Sequence, residues 1–310
     1  MLKNNEIQHD KSMKSAQNAT KWHFTRILRV AQSATLWHSM GIMGSEQNRN
    51  SLLRYMENLQ AQGRLVFTAE DAQAALGESA NAFIKASLRL IKKGKLFRPT
   101  KGFYVVIPAE YKNSGSVPPE WYIDSLMKFH GLPYYVGGLS AAAFHGASHQ
   151  APQELQVITT KKLRPVINSR TRIRFLTKKN ISKVPVQEIK THTGFFKVSS
   201  PEATAFDLIR YYRWSGYFNN IATVLIELSE KIDSKKLARA ADIEGDIAQA
   251  QRLGHLLDRF GKEKPISELA KWVSQKTNKF MPLRPGWKGE VQSRDEKWRI
   301  QINDDVEPDL

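Results

Sequence analysis

Apolar residues at Leu52, Leu53, Met56 and Leu59 share one helical face, and Gly63 is placed to end that helix. Val66-Phe67 reads as a short strand. Thr68 is positioned to cap a second helix, with Glu70 and Asp71 favouring its positive start, and Gly77 stops it. Ser79 caps a third helix that runs to Lys93 and ends at Gly94. Leu96–Arg98, the turn Pro99–Gly102 and Phe103–Ile107 form a hairpin. Helix, strand, helix, helix, hairpin is the order of a winged helix-turn-helix, predicted here over 48–108.

Lys112–Pro119 has the composition of a linker, so 109–120 separates this module from a second domain over 121–310. That domain opens on a helix carrying Ile123, Leu126 and Phe129. Strands are predicted at Glu154–Thr159, Arg172–Leu176, Val184–Ile189 and Phe195–Val198. Helices follow at Pro201–Trp214, Ile221–Glu230, Ser234–Ala241, Asp246–Phe260 and Ile266–Gln275. Trp298–Ile302 alternates with period two, as a half-buried strand does. Residues 1–47 read as a basic extension of low order. The fold class is α+β: an N-terminal winged helix-turn-helix followed by a larger mixed domain.

The third helix is chemically divided. On a wheel of about 100° per residue, Phe83, Ser87, Leu90, Ile91, Ile84 and Leu88 gather on one side, expected to pack inward. Asn81, Lys85, Arg89, Lys92 and Lys93 gather on the other, with the small Ala82 and Ala86 among them. Arg and Asn form bidentate bonds to base edges, while Lys mainly neutralises phosphate. The hairpin adds Lys95, Arg98 and Lys101, and from Leu88 to Lys101 there are six basic residues and no acid. These eight residues are the expected contacts to double-stranded DNA. A solvated helix face also favours Lys, but the segregation and the missing acids favour the nucleic-acid reading.

Charge strengthens that picture. The 310-residue chain carries a net +17, a field that attracts polyanions. A second basic run has ten Lys or Arg and one acid between Lys161 and Lys190. Lys161, Lys162, Arg164, Arg170, Arg172 and Arg174 mark a further polyanion surface or a face for an acidic partner. The last three alternate on one strand face. There is no Cys, which excludes disulfides, thiolate nucleophiles and Cys-ligated metals. No stretch reaches the length of a membrane span, and the N-terminus does not read as a signal peptide, so a cytoplasmic, membrane-free protein is expected.

Catalytic candidates are few. His145 and His149 have the spacing of two metal ligands on a helix, but Gly146 interrupts it and no third ligand is near. Glu188-Ile-Lys190 matches the Glu-x-Lys half-site of metal-dependent nucleases, and Glu110-Tyr-Lys112 matches equally well. No Gly-rich phosphate loop or nucleophile elbow is present. No enzyme, metal site or cofactor is therefore expected, and a DNA nuclease with a winged-helix targeting module is the alternative.

Two stretches carry a resemblance. Pro133-Tyr-Tyr-Val-Gly-Gly-Leu-Ser-Ala-Ala-Ala-Phe-His-Gly146 resembles the Tyr-x-Gly-x-Leu-Ser-Ala-x-x-x-His-Gly segment of the AbiEi family of antitoxins. Val198-Ser-Ser-Pro-Glu-Ala-Thr-Ala-Phe-Asp-Leu208 resembles that family's Val-Ser-x-Pro-Glu-x-Thr-x-x-Asp-Leu signature, although Ala203 replaces its usual Arg. Arg252–Leu257 and the ending Trp298–Leu310 are also similar. The first 47 residues lie outside the pattern, so Met40 or Met43 are alternative starts. The resemblance implies an antitoxin of a type IV toxin–antitoxin system, with a nucleotidyltransferase-like toxin as partner. It also implies repression of its own operon, at an operator expected to carry inverted repeats. Bottom-up, these motifs look structural: Gly137-Gly138 turns the chain into a helix, Ser200 caps the next one and Pro201 occupies its first position.

Overall fold

Leu52, Met56 and Leu59 are buried along the first helix, α1, seen over 51–61. The structure is a computed structural model that describes residues 51–147, 152–168, 171–262, 265–286 and 290–308. After β1 (Val66–Thr68), the Thr68 hydroxyl accepts the Asp71 amide at 3.0 Å, and the Asp71 carboxylate accepts the Thr68 amide at 3.2 Å. This reciprocal cap starts α2 (Ala69–Leu76), which Gly77 closes at φ 62°. The Ser79 hydroxyl, accepting the Ala82 amide, starts α3 (Ala80–Lys92). β2 (Leu96–Thr100) and β3 (Phe103–Val106) complete an antiparallel sheet of order β1-β3-β2. Its core rests on Tyr104, stacked on Phe67 at 5.4 Å and met edge-on by Phe83 at 5.3 Å.

The segment after β3 folds back on the protein as two 3-10 turns, Ala109–Ser114 and Pro119–Trp121, with Val117 buried between them. α4 (Ile123–Phe129) then packs against the hairpin: Phe129 meets Phe103 at 5.4 Å, and Tyr122 meets Phe97 at 6.4 Å. A single apolar cluster therefore runs from α1 through the hairpin into the larger sheet.

That sheet comprises β4 (Tyr134–Val136), β5 (Leu155–Thr159), β6 (Val166–Asn168), β7 (Thr171–Thr177), β8 (Val186–Thr191) and β9 (Gly194–Ser199). Their order is β6-β7-β5-β4-β9-β8. The pairs β5–β7 and β4–β9 are parallel and the others antiparallel. α5 (Gly138–Phe144) leaves β4 at once. Behind lie α6 (Pro201–Arg210), α7 (Tyr217–Leu228), α8 (Ser234–Glu244), α9 (Ile247–Phe260) and α10 (Ser267–Lys276), around a second core. A small sheet of β10 (Met281–Pro282), β11 (Ser293–Asp295) and β12 (Ile300–Ile302) closes the chain.

Two expected elements are shorter than their patterns. The helix predicted through Trp214 stops at Arg210: Tyr211 leaves helical geometry, and Gln156 captures the Trp214 carbonyl at 2.8 Å. The strand predicted from Trp298 starts at Ile300, because Trp298 is driven into α9. A Cβ on Gly254 would lie 2.0 Å from the indole, so only glycine admits that contact. The mixed α+β class holds, and among the described residues no helix is long and apolar enough to cross a membrane.

Candidate nucleic-acid interface

Phe83, Ser87 and Leu90 are the residues by which α3 is buried, and the buried Ser87 hydroxyl satisfies itself on the Ile84 carbonyl at 3.0 Å. Asn81, Lys85, Arg89, Lys92 and Lys93 all stand exposed on the helix, as do Lys95, Arg98 and Lys101 around the hairpin. Among the described residues no ion pair engages any of these seven cations. The basic side of α3 and the hairpin tip are thus both exposed and, among the described residues, carry no compensating ion pair. One expectation is corrected here: Ile84 and Leu88, placed inward by the wheel, are 45% and 44% exposed. The helix is held through a stripe narrower than its apolar content suggests, because the core beneath it accepts only the 83–87–90 line.

The second basic run divides. Lys161, Lys162, Arg164 and Arg172 are exposed, and Arg170 lies outside the described residues. Arg174 is half-buried, bound through Nε to the Glu154 carboxylate and stacked 3.9 Å over the Trp214 ring. It is committed to the protein and is not free for a polyanion. Lys178 has turned inside altogether.

Lys178 leads to the motifs. Its ammonium donates to the Tyr135 hydroxyl at 3.1 Å, to the Asp207 carboxylate at 3.2 Å and to Glu244 at 2.5 Å, while Arg210 reaches the other Glu244 oxygen at 3.2 Å. The Tyr135 hydroxyl donates to Asp207 at 3.1 Å. Burial pushes the Asp207 carboxyl up to about 6, against the pull of Lys178. A Cβ on Gly137 would sit 2.8 Å from Asp207 Oδ2 and 2.4 Å from Ile158, so this glycine opens room for the network. The two motif stretches therefore meet in space: Tyr135 and Gly137 from one, Asp207 from the other. Sequence reasoning missed Lys178 and Glu244, for a lysine amid nine other cations gives no sign that it alone is buried.

The remaining motif positions are anchors. Gln156 binds the Leu139 amide at 2.9 Å, Ser140 bridges to the Glu154 carbonyl at 3.0 Å, and Glu202 holds the Asp233 amide at 3.1 Å. His145 is buried with Nε2 2.7 Å from the Ser199 carbonyl, and burial lowers its pKa. Its spacing partner His149 lies outside the described residues. Glu188 and Lys190 stand exposed on the edge strand β8. Among the described residues no three His, Cys, Asp or Glu side chains converge to hold a metal.

With this geometry in hand, the chain can be set beside known proteins. Residues 135–259 match the family model of the AbiEi antitoxin C-terminal domain, spanning both motifs and the Lys178 network. The chain carries an AbiEi antitoxin C-terminal domain. The match supports an AbiEi-family antitoxin, and with it a toxin partner in a toxin–antitoxin system. The AbiEi domain starts on β4, at the tyrosine that anchors the buried network. Among solved structures, the RV2827C protein from Mycobacterium tuberculosis shares the fold, with a TM-score of 0.59 at 18% identity over 81% of this chain and 90% of that one. No curated protein matches the chain.

Proposed function

We propose that the chain is a DNA-binding autorepressor and antitoxin. In this reading residues 48–108 are a winged helix-turn-helix, with α3 in the major groove and the β2–β3 hairpin along the phosphates. The observation that carries it is the set of seven exposed cations and Asn81 on α3 and the hairpin, which no ion pair engages among the described residues. Asn81, Lys85 and Arg89 face the bases, while Lys92, Lys93, Lys95, Arg98 and Lys101 neutralise phosphate. The operator is double-stranded DNA upstream of its own gene, read as inverted repeats, and the AbiEi domain counters a nucleotidyltransferase-like toxin in the cytoplasm. Lys161, Lys162, Arg164 and Arg172 form a lesser basic patch that meets either DNA or an acidic partner.

The test is titration of the full chain against its own upstream duplex and a scrambled duplex, with and without Mg²⁺. Preferential binding without cleavage supports the repressor. Mg²⁺-dependent cleavage lost in Glu188→Ala establishes the nuclease instead.

A further inference from the structure

Ile84 and Leu88 are anomalous for a helix that otherwise hides its apolar side chains. Phe83 and Leu90 are buried and Ile91 is half-buried, yet Ile84 and Leu88 are left 45% and 44% exposed. The buried line of Phe83, Ser87 and Leu90 fixes the direction of the core. At about 100° per residue, Leu88 lies roughly 45° from the point opposite that line. It therefore stands within the exposed face, next to Asn81 and Lys92, with Ile84 one turn before it on the flank. The apolar pair therefore borders the basic face, with Leu88 beside Asn81 and Ile84 just beyond it.

Charge decides what can cover it. A second copy packing this face against its own counterpart would bring Lys85, Arg89 and Lys92 against the same cations, at a like-charge cost. An acidic partner with an apolar spot satisfies both features, and duplex DNA is such a partner. Its phosphates match the cations, and the one apolar group on the major-groove base edges is the thymine C5 methyl. We propose that Leu88, with Ile84 beside it, is a specificity-determining contact that reads thymine methyl groups. This rests on the proposed placement of α3 in the major groove.

The probe is the duplex that the full-length protein enriches from a random-sequence library. Thymines in that duplex are replaced one at a time by deoxyuridine, which removes only the methyl. Anisotropy titrations should show binding weakened about fourfold at one or two positions, the worth of one buried carbon. Leu88→Ala should bind the thymine and uracil duplexes equally. Alanine suits an exposed helical site, so this variant keeps its fold, which circular dichroism checks. If the wild type binds both duplexes equally while Lys85→Ala and Arg89→Ala still weaken binding, methyl reading is wrong and the DNA reading stands. If no duplex is enriched, the DNA reading falls and this inference falls with it. If Leu88→Ala instead turns a dimer into a monomer in sedimentation, with no thymine dependence in the wild type, the patch is an interface between copies.

Discussion

Lys101→Ala separates a phosphate contact from a base contact by its salt dependence. Lys101 lies exposed in the hairpin turn, and among the described residues no ion pair engages it. Each neutralised phosphate contributes about −0.9 to the slope of log K against log salt. The five phosphate-facing cations set a slope of about −4.5 for one bound module, a loss of roughly 500-fold between 0.05 and 0.2 M salt. Removing Lys101 should make the slope shallower by about 0.9 and weaken binding about fivefold at 0.15 M, equally on operator and scrambled duplexes. Arg89→Ala should instead cost about 1–3 kcal/mol on the operator and much less on the scrambled sequence. Fluorescence anisotropy at four salt concentrations on both duplexes measures all of this. An unchanged slope in Lys101→Ala, with no operator-specific loss in Arg89→Ala, would refute the assignment of α3 and the hairpin to DNA.

Other expectations address the framework. Asp207 has its folded pKa raised from 3.8 to about 6, so between those values the native state holds a proton that the unfolded state has lost. Stability from this group is therefore full below pH 3.8 and falls as pH rises toward 6; subtracting the urea-melt pH profile of Asp207→Asn from that of the wild type should reveal this fall. Gly254→Ala forces Trp298 out of its seat on α9 and should cost about 1–3 kcal/mol, the range for an overpacked core, as a lowered urea midpoint. A fragment ending at Pro108 loses the cover that Tyr122 and Phe129 give Phe97 and Phe103, so it should melt well below one extended to Gly131. Equal melting of the two fragments would show that α4 does not support the hairpin.

Much of the fold was legible because local signals there are strong and unopposed. The caps at Thr68, Ser79 and Ser200 act within three residues, and the structure forms each one. β5, β7, β8 and β9 appeared near their predicted places, since β-rich runs between polar breaks suffice to mark them. β4 was not marked: it is buried on both faces, so it has three residues and no alternation to read. The motif stretches were visible as text, but their meeting at Asp207 was not.

The sequence by itself determined the charge, the segregation of cations on the third helix and the family motifs, because each is a property of composition or short spacing. Only the tertiary structure decided which of those side chains remain available. Lys178 and Arg174 belong to the same basic run as Lys161 and Arg172, yet carboxylates twenty or more residues away in sequence draw the first two into the protein. Ile84 and Leu88 read as core by their apolar character, yet the core beneath α3 is already filled by Phe83 and Leu90. Burial is set by what a neighbouring element has room to accept, and helical periodicity carries no record of that neighbour.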